Sequence, residues 1–206
     1  MSKNPETKKI FMVLLVFAAI LSSFYLLDFK AARSETQANS LVSTYSLGNP
    51  ESGFPNRIFL YTEGDSALAA NLKEKLRRDL DEAGAEVIIV DSMEEKYSSQ
   101  ALLVNISRGN LLYTPFYASS NLNIMFFYTS TGQGTKYFEQ FKKGNKTIVF
   151  ENNGSIQGEK LIAGEIKLQD STHGPVSLKA YRKHLATESS GKIVEQLRIQ
   201  LLQNTS

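Results

Sequence analysis

The sequence predicts an α+β or α/β fold: a two-layer sandwich of one mixed sheet, about seven strands, with two packed helices, attached to an N-terminal transmembrane helix. Three observations lead there. Residues 10–27 read IFMVLLVFAAILSSFYLL, with no charge among them. Farther on, a helical pattern at 67–83 lies between two short apolar β-rich runs, 57–62 and 85–90, which is the layout of a βαβ unit. From residue 101 onward short apolar runs alternate with clusters of Gly, Asn, Ser and Pro, until helical spacing returns near the end.

The first stretch reads as a single-pass signal anchor. At about 1.5 Å per residue it covers most of a hydrocarbon core about 30 Å thick. It is longer than the apolar core of a cleavable signal peptide. Its exit, Asp28-Phe29-Lys30-Ala31-Ala32-Arg33, puts charged and bulky residues where a peptidase needs small ones, and the first small pair, Thr36 and Ala38, comes too late. Ile10, Leu14, Phe17, Leu21 and Leu27 mark the anchor, whose partner is the lipid bilayer. Lys3, Lys8 and Lys9 precede the run, and Lys30 and Arg33 follow it. The positive-inside rule therefore puts residues 1–9 in the cytoplasm and the large remainder outside it, at the cell (plasma) membrane.

Residues 28–56 are poor in apolar side chains and rich in Ser, Thr, Gln, Asn and Gly, with Asn49-Pro50 and Phe54-Pro55 as breakers. They read as a stalk, in which Ala31, Ala32 and Ala38 permit the anchor helix to continue as far as about Asn39. Residues 57–206 form the extracytoplasmic domain. The chain has no cysteine, so disulfides, thiolate metal sites and a lipidated cysteine are excluded. Its 23 Lys and Arg are interspersed with 21 Asp and Glu, which leaves no basic footprint for nucleic acid.

Within the domain, Ala69, Leu72, Leu76, Leu80 and Ala83 line one face of the first helix, opposite Lys73, Glu74, Arg77, Arg78, Asp81 and Glu82. Asp65 or Ser66 caps its start, and Gly84 ends it. Val87, Ile88, Ile89 and Val90 in succession predict a strand covered on both faces. A strand at 101–107 is turned by Arg108-Gly109-Asn110. Residues 111–118 and 122–129 predict a hairpin about Ser119-Ser120-Asn121, with Pro115 marking an edge strand or a bulge. Tyr137, Phe138 and Phe141 sit on a short amphipathic segment. Strands follow at 147–150 and 160–168, with Asn152-Asn153-Gly154 as the turn between them. After the turn Thr172-His173-Gly174-Pro175, the alternation of Val176, Leu178 and Ala180 predicts another strand. A helix over 189–203 closes the chain, with Ile193, Leu197 and Leu201 on one face.

Both faces of the predicted hairpin are apolar. Tyr113, Phe116, Tyr117, Phe126 and Tyr128 are therefore the candidate surface for another membrane or envelope protein. The helix 72–83 ending in Gly84, the strand 86–90, the runs Ser99-Gln100-Ala101-Leu102-Leu103-Val104 and Gly164-Glu165-Ile166-Lys167-Leu168-Gln169-Asp170, and the closing helix carry a resemblance of layout. The order of elements resembles the small envelope-assembly domains of the auxiliary lipoproteins of ABC transport systems and the lipopolysaccharide-assembly lipoproteins. It departs from them in lacking their lipidated cysteine. The resemblance implies a non-catalytic partner or scaffold in an envelope complex.

Residues with chemical potential are few. Asp170, His173 and His184 would have to converge to hold a metal. Ser189-Ser190-Gly191-Lys192 matches the Ser-x-x-Lys pattern of acyl-enzymes, yet a serine at a predicted helix start is an ordinary N-cap. Gly132-Gln133-Gly134-Thr135-Lys136 lacks phosphate-loop spacing and reads as a surface loop. Asn105, Asn145, Asn153 and Asn204 begin Asn-x-Ser/Thr sequons. None of these motifs identifies a reaction, a metal or a cofactor. The expectation is a non-enzymatic binding or scaffold protein, a subunit or assembly factor of a membrane complex. The rival is a hydrolase or small-ligand receptor with a pocket at the C-terminal strand edges, near Glu63, Asp65 and Asp91.

Overall fold

The computed structural model of the chain describes residues 5–48, 53–64, 66–93, 99–144 and 158–202. The expected strand at 147–150, the turn at 152–154, Asp65 and the sequons at Asn145, Asn153 and Asn204 lie outside them. The first helix, α1 (Pro5–Leu26), contains all but the last residue of the expected apolar run 10–27. Its window Lys8–Leu26 is long and apolar enough to cross a membrane, and 6% of that window is buried.

Among the described residues the sheet has six strands, β1 (Arg33–Leu47), β2 (Arg57–Glu63), β3 (Glu86–Val90), β4 (Ala101–Thr114), β5 (Tyr117–Thr129) and β6 (Glu159–His173), in the order β1-β6-β5-β4-β2-β3. β2 (Arg57–Glu63), α2 (Ala67–Glu82) and β3 (Glu86–Val90) form the expected unit, with β2 and β3 parallel. The Ser66 hydroxyl accepts the Ala69 N–H at 3.1 Å and so caps α2. Gly84, at φ 99°, supplies the left-handed residue that ends it. β3 is an edge strand and not one covered on both faces, and Ile89 is exposed.

β4 (Ala101–Thr114) and β5 (Tyr117–Thr129) form one long hairpin, not a strand followed by a shorter hairpin. Its turn is Thr114-Pro115-Phe116-Tyr117, where the fixed φ of proline suits the second turn position and the Thr114 hydroxyl accepts the Tyr117 N–H at 3.0 Å. The turn formers expected at 108–110 and 119–121 instead lie within the ladder, with Asn110 opposite Asn121. Near Ser107 the register shifts by one residue, a β-bulge. β5 pairs antiparallel with β6 (Glu159–His173).

The largest departure from expectation is residues 33–47. They are β1 (Arg33–Leu47), antiparallel to β6 over its whole length, and neither a stalk nor a helix. The alternation of Val176, Leu178 and Ala180 is likewise no strand. Leu178 and Ala180 open α4 (Leu178–Leu202), a single 25-residue helix that also contains the expected terminal one. Ser177 caps it by accepting the Ala180 N–H.

As expected, α2 and α4 pack on one face of the sheet. Ile58, Leu60, Leu102, Val104, Phe126, Tyr128, Ile162 and Ile166 point into that layer and meet Leu72, Leu76, Leu80, Leu185, Ile193 and Leu197. On the other face a one-turn 3₁₀ segment (Gln133–Lys136) and α3 (Tyr137–Lys142) cover Leu103, Phe127 and Leu161 with Tyr137 and Phe138.

Candidate functional site

The five aromatics of the expected partner surface do not lie together. Phe126 and Tyr128 are fully buried beneath the helices, because their even-numbered positions on β5 face the core. Tyr113, Phe116 and Tyr117 sit at the other end of the hairpin, at its turn, and that turn meets the end of α1.

The contact is built from rings. Phe24, in the last turn of α1, is nearly buried between Phe29, at 5.1 Å between ring centroids, and Phe116, at 5.6 Å. Tyr25 meets Tyr113 edge-on at 5.5 Å. The Tyr113 hydroxyl lies 3.0 Å from the Phe24 carbonyl and 2.9 Å from that of Val176, so its one proton is shared between them. One of the carbonyls that the end of α1 leaves without a helical partner is thereby satisfied. Burial, with Tyr25 alongside, pushes the Tyr113 phenol up, which keeps it a donor. Tyr117 stacks obliquely on His173 at 5.1 Å.

The chain leaving α1 is held as firmly. Phe29 donates its N–H to the Ser177 hydroxyl at 3.1 Å, and its carbonyl accepts the Ser177 N–H at 2.9 Å. Ala31 N–H bonds the Pro175 carbonyl at 2.8 Å, Lys30 bridges to Val176, and Lys183 pairs with Asp28. β1 then begins at Arg33. No spacer separates α1 from the domain. Of the residues expected in the apolar run, Ile10, Leu14, Phe17, Leu21 and Leu27 are all exposed along it, as are Tyr25 and Leu26.

A polar cluster ties β1, β6 and α4 together farther up the sheet. Asp170 is buried and receives hydrogen bonds from Thr36 at 2.6 Å and Thr172 at 2.9 Å, with His184 Nε2 at 2.9 Å. Burial alone would raise this carboxyl, but the hydrogen bonds from His184, Thr36 and Thr172 outweigh it and hold Asp170 below its usual value. His173 lies three residues along β6, on the opposite face, so the three-residue metal set does not converge. Among the described residues no group of three or more His, Cys, Asp or Glu could hold a metal ion.

Other sequence candidates resolve as packing. Ser189 is buried inside α4 and donates to the Leu185 carbonyl, while Ser190 donates to Asp79 of α2 at 2.6 Å. Neither caps a helix start. In the loop 132–136 the Gly134 N–H donates to the buried Glu159 carboxylate at 3.1 Å, and Thr129 donates to the same oxygen. Gln133 and Lys136 are exposed, as a surface loop requires, but Gly132 and Gly134 are buried, and the Gly134 amide faces the protein's own carboxylate.

The C-terminal end of β2, the middle of β4 just past the end of its pairing with β2, and the start of α2 border an open cleft of about 610 Å³. Glu63, Ser66, Leu68, Asn105, Leu111 and Arg182 line it. Glu63 is ion-paired with Lys142 at 2.7 Å, and Asp91, at the end of β3, lies outside the lining and pairs with Lys73.

No protein-family model matches the sequence, and no curated protein matches it. Among solved structures the chain is similar to the PelC dodecamer from Paraburkholderia phytofirmans, at 12% identity and a TM-score of 0.40, over 77% of this chain and 98% of that one. A single-substitution variant of that dodecamer gives 8% identity and a TM-score of 0.33 over the same shares.

Proposed function

We propose that this is a single-pass membrane protein, with residues 1–9 cytoplasmic and the sheet domain outside the cytoplasm, that works by binding as a subunit or assembly factor of a membrane or envelope complex. The observation that carries the reading is the junction. An apolar helix whose sides are left unpacked runs directly into a domain that grips its last turn, as suits a domain held at a fixed height and angle over a bilayer. The bias of Lys3, Lys8 and Lys9 over Lys30 and Arg33 supports the orientation.

Two measurements on native membranes test it. The full-length chain should resist alkaline carbonate extraction, and protease added from the non-cytoplasmic side should degrade the domain. Site-directed crosslinking from the domain should then yield defined adducts with other membrane proteins. Extraction by carbonate, or protection of the domain from outside, would overturn the placement; an absence of adducts would overturn the assembly role.

The cleft beside β2 favours a second reading, a small-ligand receptor or hydrolase. Saturable heat of binding to a small molecule, abolished by a substitution at Arg182 or Asn105, would support that class over a scaffold.

A further inference from the structure

We infer that the turn of the β4–β5 hairpin is a second membrane contact, in which Phe116 inserts at the boundary between lipid headgroups and acyl chains beside α1. The inference rests on the proposal that α1 spans the bilayer. Its basis is depth. The Phe116 ring packs against Phe24, two residues inside the end of α1 and therefore about 3 Å to the membrane side of Leu26. From Lys9 to Leu26 the helix rises about 26 Å, short of a hydrocarbon core of about 30 Å. With Lys9 at one boundary, the opposite boundary falls at or beyond Leu26, so Phe24 lies within the lipid and the Phe116 ring, 5.6 Å from it, stands at that boundary.

The surface has the character this depth requires. Phe116 is 64% exposed although it is a large apolar side chain at a turn, and its neighbours Tyr25 at 55%, Leu26 at 76% and Leu27 at 56% continue the apolar surface of α1 onto the domain. Tyr25 and Tyr113 put phenol groups among these rings, the amphipathic arrangement favoured at a headgroup interface. Exposed Lys30, and Lys179 in the first turn of α4, stand at the same end of the domain, where phosphates would lie. The clamp of residues 28–31 onto Pro175, Val176 and Ser177 fixes the tilt of the domain, so the hairpin turn cannot swing clear of the membrane.

The chain contains no tryptophan, which makes a single introduced indole an unambiguous probe. F116W, F17W and L202W full-length proteins are reconstituted in vesicles of phosphatidylcholine and phosphatidylglycerol that carry bromine on the acyl chains, either near the carbonyl end or near the methyl end. F17W reports whether α1 is in the bilayer. L202W, at the far end of α4, reports an exposed site remote from it. The expected result is blue-shifted F116W emission, quenched more strongly by bromine near the carbonyl end, with F17W quenched by either label and L202W by neither. Phe116 is exposed, so F116W should melt with the parent. If F17W is quenched and F116W behaves like L202W, the contact is overturned while the anchor stands. Blue-shifted but unquenched F116W emission would mean that a protein or a second copy of the chain covers the site, which also overturns it. An unquenched F17W would remove the anchor itself and the inference with it.

Discussion

The ring of Phe126 lies across Gly164, its partner in the β5–β6 ladder. A Cβ placed on Gly164 would sit 2.2 Å from two ring carbons. The glycine is there for space, since its φ is not in the left-handed region. An aromatic ring wedged beneath α4 cannot retreat as the tip of a lysine could. Gly164→Ala should therefore destabilise the domain by about 1–3 kcal/mol, the usual range for overpacking a filled core. Urea unfolding would measure this. The double variant F126L/G164A should lose less than the sum of the two single variants, because the smaller side chain vacates the contact. Simple additivity would show that the two residues do not compete for space.

Ser177 serves two masters at the junction, capping α4 through Ala180 and accepting the Phe29 N–H. Ser177→Ala should cost about 1–2 kcal/mol, the upper part of the range for losing a helix cap. It should also raise hydrogen exchange at Phe29 and Ala31, whose N–H groups bond across the junction. Unchanged exchange there would mean that the clamp does not depend on this hydroxyl.

How much of this was legible in the sequence follows from what each element buries. α1, α2 and β3 were readable because their apolar spacing is their reason for folding. β1 was not: the positions it turns inward include Ser34, Thr36 and Thr44, which bond Thr172, Asp170 and Gln200 instead of filling a core. Hydrophobic periodicity is blind to a strand held by hydroxyls. In α4 the buried stripe passes through Ser189 and Ser190, and these polar residues hid a continuous helix. Of the junction, the aromatic content of the hairpin was a usable signal. The true turn at Pro115 was masked by stronger turn formers that lie within the ladder. Nothing local could reveal that Phe24 and Phe116 meet, since that contact requires knowing where β1 places the start of the domain.

Asp170 should give the domain an acid-sensitive share of its stability. Its carboxyl, buried and held below the usual 3.8 by His184, Thr36 and Thr172, contributes stability that is fully present above pH 3.8 and is lost as pH falls through the lower folded value. Asp170→Asn should be less stable than the parent by about 1.5–3 kcal/mol near neutrality, the range for a hydrogen bond to a charged group. The gap should narrow below pH 3.8, where the unfolded carboxyl takes up a proton and the folded one resists. A gap that stayed constant from neutrality into the acid range would show that the cluster holds the strands by shape alone.

Lys160 should do the opposite at high pH. It is buried on β6, and its ammonium donates to the Gln200 carbonyl in the last turn of α4 at 2.7 Å, a favourable place for a cation at a helix end. Burial nevertheless lowers its pKa below the usual 10.5, so desolvation outweighs that bond. A base with a depressed folded pKa destabilises the fold while it is charged. This cost fades as pH rises through the folded value toward 10.5, because the unfolded state still binds the proton that the folded state has released. The parent should accordingly gain stability relative to Lys160→Met over that interval. Half-buried Tyr113 and buried Tyr181, whose phenols are pushed up, act against the fold in the same range, but they do so equally in both proteins. The difference between parent and variant in alkaline denaturant titrations therefore isolates Lys160. A difference independent of pH would mean that its ammonium is effectively solvated at the end of α4.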